Sequence, residues 1–265
     1  MIEAAQPAVP ALAVTPQIAP LRDPIIVSDL HLATERPRTL ARFLRFMRED
    51  APAHAELVIL GDLFEFWIGD DAGAAAAPVV AALAAAAARG QRVLLMHGNR
   101  DPLLGPDFAK ATGGTLLADP IVADVAGTPT LLSHGDLWCT RDVAYQQFRA
   151  MVRNPAFQRE FLAKPVEERI AIARSARQQS ETEKAVKAMD IMDVTPQAIE
   201  DALVAAGVRR LIHGHTHRPA AHEIIVDGQR AERWVLPDWE FEGPEVRGGF
   251  LDFSDGKPRL VFFDD

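Results

Sequence analysis

The chain has 265 residues, 48% hydrophobic and 25% charged, enough for one large domain or one domain carrying an insertion. A formal net charge of -9 excludes nucleic acid as an obligatory partner, since phosphate backbones are held by basic surfaces. The single cysteine, Cys139, excludes an internal disulfide and any thiolate-rich zinc site, and it fits a reducing compartment.

Residues 1–24 contain five prolines, no glycine and few charges, without the basic start and apolar run of a signal peptide. They are predicted to form a disordered or extended tail with no catalytic role, and the protein is expected to be cytoplasmic. No run is predicted to span a membrane. Ile25-Ile26-Val27 predicts a buried parallel strand that ends in Ser28-Asp29-Leu30-His31. Open α/β sheets collect functional groups beyond the carboxyl ends of their strands, which is where Asp29 and His31 stand. A helix is predicted over 38–49, with Leu40, Phe43, Leu44 and Met47 on one face. Leu57–Leu60 is a second strand ending in Gly61-Asp62, and Asp70 and Asp71 read as loop acids. The alanine-rich stretch 78–89 predicts a packing helix, with Pro78 in its first turn and Gly90 after its end.

Arg92–Met96 predicts a third strand, ending in His97-Gly98-Asn99-Arg100-Asp101, where His97 reads as a packed residue. Strands at 121–125 and 130–133 flank Gly127 as a hairpin, and the second runs into His134-Gly135-Asp136. Asp136 and Cys139 are given no chemical role. From 141 to 187 the pattern is helical, with Phe148, Met151, Phe157, Phe161, Leu162, Val166, Ile170 and Ile172 among ten basic and six acidic residues. By pattern this is either a solvated helical hairpin or a lid with an apolar groove and a basic rim. Arg209–Ile212 predicts a strand entering His213-Gly214-His215-Thr216-His217-Arg218-Pro219. Alternate residues on an extended segment project the same way, so His215 and His217 can face one metal as a half-site. The stretch 222–263 predicts antiparallel strands that complete a second sheet, turning at Asp227-Gly228 and Asp255-Gly256, with Trp234 and Trp239 as packing residues.

Five apolar runs thus end in a carboxylate, an amide or an imidazole. Asp29, His31, Asp62, Asn99, His134, His215 and His217 resemble, in order and spacing, the signature of the calcineurin-like metallophosphoesterases. The resemblance implies an α/β fold, a two-sheet sandwich flanked by helices (αββα), with 141–190 as a helical lid insertion in a domain spanning 25–265. It also implies two divalent ions, one held by Asp29, His31, Asp62 and His217. The other would be held by Asp62, Asn99, His134 and His215, with Asp62 shared. Mixed oxygen and imidazole donors without thiolate make manganese the expected ion. His213 is expected to support the ligands from behind.

The wider family usually places a histidine where Arg100 stands. Arginine does not donate its proton but can clamp a phosphate oxygen with two N–H groups, so Arg100 and Asn99 are the expected catalytic pair. With Ile191-Met192-Asp193-Val194, these stretches resemble the branch that acts on a lipid-linked sugar nucleotide of lipid A biosynthesis. That branch cleaves UDP-2,3-diacylglucosamine to UMP and 2,3-diacylglucosamine 1-phosphate. The resemblance implies substrate contacts at Asn99, Arg100, Asp142, Ser180, Lys184, Lys187 and His215, with Lys184 standing where the branch often has asparagine. It also implies peripheral association with the cytoplasmic face of the inner membrane and no obligate protein partner. The alternatives are a soluble phosphodiesterase or nucleotidase on the same scaffold, and a binding module that keeps the fold without catalysis.

Overall fold

Buried apolar runs pair side by side at the centre of the molecule, a computed structural model that describes residues 18–186 and 193–263, with the backbone alone for 179–186. β1 (Pro24–Val27), α1 (Pro37–Glu49), β2 (Glu56–Leu60), α2 (Ala77–Ala88) and β3 (Arg92–Met96) alternate, and the three strands are parallel. α3 (Pro106–Thr112) then leads to a parallel β4 (Thr115–Leu117). These two elements are only seven and three residues long, too short for a hydrophobic period to announce them. β5 (Ile121–Val125) and β6 (Thr128–Ser133) form the expected hairpin. The insertion consists of α4 (Val143–Val152), α5 (Pro155–Leu162) and α6 (Val166–Val186). Next come α7 (Pro196–Ala206), β7 (Arg210–His213), β8 (Ala220–Val226), β9 (Gln229–Val235), β10 (Gly249–Asp252) and β11 (Arg259–Phe262).

One sheet runs β11-β10-β1-β2-β3-β4 and the other β5-β6-β7-β9-β8. Only β8 and β9 therefore complete the second sheet as expected, and β9 lies parallel to β7. β10 and β11 belong to the first sheet. All four residues of β10 are buried, the pattern of an inner strand, and β1 supplies the edge it needs.

Ile26, Val58, Leu94, Leu132, Ile212 and Leu251 pack between the sheets. α1, α2 and α3 cover the outer face of the first sheet through Phe43, Phe46, Leu83 and Phe108, and α7 covers the second through Ile199 and Leu203. The layers are αββα, as expected.

Two expectations shift. Residues 1–17 lie outside the described residues, but the folded body begins before residue 24. Leu21 is buried between the sheets, and its N–H donates to the Asp124 carbonyl at 2.8 Å. The stretch Asp70–Ala88 is, contrary to expectation, long and apolar enough to cross a membrane by length and composition, at a mean hydropathy of 1.6. Its Val79, Leu83 and Ala86 are packed into the core under the first sheet.

Candidate metal centre

The carboxyl ends of β1, β2, β3, β6 and β7 meet at one end of the sandwich, so chain direction alone brings their following residues together. The tips of β1 and β2 stay paired past the last strand residues: Asp29 N–H donates to Gly61 O at 3.1 Å and His31 N–H to Asp62 O at 3.0 Å. Across the sheets, His134 Nδ1 lies 3.0 Å from Leu60 O, and within the second sheet Gly214 N–H of the β7 tip donates to His134 O of the β6 tip at 2.9 Å.

Five of the seven expected ligands take left-handed backbone: Asp29 (φ 54°), His31 (49°), Asp62 (52°), His215 (68°) and His217 (53°). Residues with a Cβ rarely adopt it, at a cost of about 1–2 kcal/mol each. The other such non-glycine residues among those described, Ala126 and Asp227, sit in hairpin turns.

The structure brings all seven together. His217 Nε2 lies 3.4 Å from Asp29 Oδ1 and 3.5 Å from His31 Nε2. Asn99 Oδ1 lies 3.0 Å from His134 Nε2 and 2.9 Å from His215 Nδ1. Asp62 stands between the groups, with Oδ2 3.9 Å from His31 Nε2 and Oδ1 3.7 Å from His134 Nε2. Backbone packs directly against these carboxylates. A Cβ on Gly98 would collide with Asp62 Oδ1 and one on Gly214 with Asp29 Oδ2, so both positions need glycine for space alone. Asp101 staples the β2 and β3 tips, its carboxylate accepting N–H groups from Asp62, Phe64 and Gly98 at 2.8–3.3 Å.

The donor set fits divalent cations. Asp29 Oδ1 and His31 Nδ1 are buried without a hydrogen-bond partner. Ligand atoms of Asp29, His31 and His217, and separately of Asp29, Asp62 and His134, lie within 4.8 Å of one another. Carboxylate, amide and imidazole oxygen and nitrogen donors suit divalent metal ions. The metal-free charge balance agrees. Burial raises the Asp62 carboxyl to about 6, with Asp101 and Asp29 adding to the rise against the opposing pull of His134. Burial opposes charge on His134, but Asp62 and Asp29 outweigh it and raise that imidazole to about 9. Burial likewise opposes charge on His217, and Asp238 and Asp29 raise it to about 10. Desolvation instead keeps His215 neutral, lowered to about 3, and pushes His31 well below its ordinary value.

Residues outside the sequence expectation complete the surroundings. Glu65 Oε2 lies 3.6 Å from His31 Nδ1 and 3.8 Å from Arg36 Nη1, and its Oε1 meets Arg177 of α6 and, at 4.0 Å, Arg100. Asp136 is fully buried; Tyr145 Oη donates to it at 2.6 Å and Arg149 Nε at 2.9 Å. Burial opposes its charge, but Arg149 and Arg153 hold it well below the carboxylate range. Tyr145 also stacks on the His215 ring, with centroids 5.7 Å apart. Asp238 touches His217 from behind. Asp101 closes the quoted stretch His97-Gly98-Asn99-Arg100-Asp101 and could have been singled out, as could Glu65, three residues after Asp62. Asp238 and Tyr145 carry no motif signal.

The insertion's basic residues are not all a rim. Arg149 and Arg153 bind Asp119 and Asp136, Arg153 donates to Gly98 O at 3.2 Å, and Arg169 pairs with Asp71. The buried acids Asp119 and Asp136 take Arg149 and Arg153 to balance their own charge, whereas Arg169 is the buried member of its pair with the exposed Asp71. Asp142 caps α4, accepting the Tyr145 N–H at 3.1 Å. Ser180 and Lys184 lie on the α6 backbone, and Lys187 lies outside the described residues. Burial pushes the Cys139 thiol up, consistent with an inert core residue. His213 is fully buried, with Nδ1 2.8 Å from Gly214 O.

The sequence profile of the calcineurin-like phosphoesterases matches residues 25–219, which carry all seven residues. The chain belongs to this family. Calcineurin-like phosphoesterases imply divalent metal ions, in keeping with the donors above. The chain is 48% identical over 230 residues to a UDP-2,3-diacylglucosamine hydrolase of Bordetella pertussis, covering 85% of this chain and 89% of that protein. It is 49% identical over 220 residues to the protein of that name from Azotobacter vinelandii, covering 83% and 91%. A third, from Aeromonas salmonicida, is 48% identical over 237 residues, covering 89% and 91%.

Two predictions follow from this geometry. Gly98→Ala pushes Asp62 out of place, so kcat/KM should fall about 100-fold or more, as ångström-scale misplacement does. A variant with the parent's kcat/KM and metal content would show that the tips are not closely fitted. The second concerns protons, because imidazole ligates only when neutral. With His134 near 9 and His217 near 10, loading the metal-free protein near pH 7.5 should release about two protons per chain. Metal affinity should rise with pH up to that range. In the metal-free protein these raised values stabilise the fold fully below the unfolded value of 6.5, and the stabilisation disappears as pH climbs through 9 and 10. Calorimetry in buffers of different ionisation enthalpy counts the protons; none released would contradict the assignment.

Proposed function

We propose that this protein hydrolyses the pyrophosphate bond of UDP-2,3-diacylglucosamine, yielding UMP and 2,3-diacylglucosamine 1-phosphate. The observation that carries the reading is identity of 47–49% over most of the chain to proteins named for that substrate, joined to a seven-residue metal-type donor set. In this reading Asp29, His31, Asp62 and His217 hold one divalent ion, and Asp62, Asn99, His134 and His215 the second, with manganese as the expected metal. Two such ions supply an activated water and neutralise charge on phosphate oxygens. The chain's own groups do the positioning. Arg100, with its N–H on Asp62 Oδ1 at 2.8 Å and its guanidinium near Glu65, clamps a phosphate oxygen.

Acyl chains lie against the insertion. Val143, Phe148, Met151, Leu162 and Ile172 of α4–α6 expose large apolar surface, as does Phe66 on the core, a concentration that an aqueous role does not call for. Asp142, Ser180, Lys184 and Lys187 contact the head group, and the insertion serves as the lid over the site. A substrate with two acyl chains resides in a bilayer, so the protein works at the cytoplasmic face of the inner membrane as a peripheral protein, without an obligate protein partner.

Arg100→Lys exchanges a two-pronged planar donor for a point charge, so kcat on the lipid substrate should fall by about tenfold or more; unchanged kcat would remove Arg100 from the reaction. Met151→Glu with Ile172→Glu should reduce turnover of the diacylated substrate at least about tenfold more than turnover of a small chromogenic phosphodiester. Equal losses would favour a soluble phosphodiesterase.

A further inference from the structure

We infer that Asp238, held by Arg247, is a positioning residue for His217, so that the C-terminal segment beyond the family signature completes the first half-site. The inference rests on the proposed role of His217 as a ligand. The two ring nitrogens of His217 face opposite ways. Nε2 points at Asp29 Oδ1, 3.4 Å away, while Nδ1 lies 3.3 Å from Asp238 Oδ2. A carboxylate beside Nδ1 accepts a hydrogen bond from Nδ1–H, which holds the proton on that nitrogen and leaves the Nε2 lone pair for the metal.

His217 needs such a partner more than its neighbours do. Its side chain is 35% exposed, against 9% for His31 and 1–2% for Asp29 and Asp62. Packing fixes the latter three; the His217 ring, on left-handed backbone at the site's open side, has solvent beside it. Asp238 is itself immobilised. Its carboxylate is 3% exposed, and Oδ2 accepts Arg247 Nε at 2.8 Å and Nη2 at 2.7 Å.

The backbone around Asp238 is tied to the ligand-bearing tips. Leu236 N–H donates to His213 O at 2.8 Å and Trp239 N–H to Asp29 O at 3.0 Å. Arg36 then joins the β1 tip to this segment, donating to His31 O at 3.0 Å and to Trp239 O at 2.9 Å. Asp238 is thus suspended between β7 and β1, the two tips that carry Asp29, His31 and His217. It stands nineteen residues beyond the end of the family match at 219.

Stepwise manganese titration of the full-length metal-free protein against a competing chelator tests this. Asp238→Asn should weaken one of the two ions about 10- to 100-fold and leave the other near the parent affinity. Arg247→Ala, at a half-exposed position, should give the same selective loss to a smaller degree. Asp252→Asn is the control. Asp252 is a buried acid paired with Arg259 and lying 3.8 Å from His54, away from the centre, and its loss should leave both affinities intact. Parent-like binding of both ions by Asp238→Asn, or equal weakening of both ions by that variant or by Arg247→Ala, overturns the inference. A parent protein that binds no second ion overturns the two-ion reading itself, a different result from a selective variant effect.

Discussion

Left-handed backbone at the strand tips is the constraint on which the rest depends. At about 1–2 kcal/mol for each of five ligand residues, it costs an amount comparable to the whole stability of many domains. It persists because the surroundings over-determine it. Tip-to-tip hydrogen bonds run from Asp29 to Gly61 and from His31 to Asp62, and the Asp101 carboxylate gathers three N–H groups from the β2 and β3 tips. Gly98 and Gly214 let backbone approach within contact of carboxylates. The two parallel sheet centres are the device that aims five such tips at one point, and the helices on either side keep the sheets dry.

Charge explains why this arrangement asks for cations. Asp29, Asp62 and Asp101 lie together with almost no solvent, and His134 and His217 take up protons when nothing else neutralises them. The same logic binds the insertion to the core. Asp136 and Asp119 are buried acids beside the β6 tip, and α4 brings Arg149 and Arg153 to meet them. With Tyr145 stacked on His215, α4 belongs to the walls of the centre as much as to the insertion. Val143, Phe148, Met151, Leu162 and Ile172 of α4–α6 stay exposed beside these pairs.

Much of this was legible in the sequence because the ligands follow apolar runs directly: Val27 precedes Ser28-Asp29, Leu60 precedes Gly61-Asp62, and Ile212 precedes the histidine loop. Position on the chain there is position in space. The strands themselves were legible for the same reason, to within a residue or two at β1, β2 and β3. What stayed hidden depends on contacts between distant segments. Asp238 reaches His217 only because β9 lies parallel to β7, and β10 returns to β1 only in three dimensions. The basic residues of the insertion looked like a rim because sequence cannot show the buried acids that Arg149 and Arg153 meet, or the distant Asp71 that pairs with Arg169.

The central claim is that these tips hold two ions with Asp62 between them. Anomalous diffraction from crystals grown with manganese tests it most directly. Two peaks roughly 4 Å apart are expected, one beside Asp29, His31 and His217 and one beside Asn99, His134 and His215, each with an Asp62 oxygen within coordination distance. A single peak under saturating manganese, or two peaks with Asp62 touching only one, would contradict it.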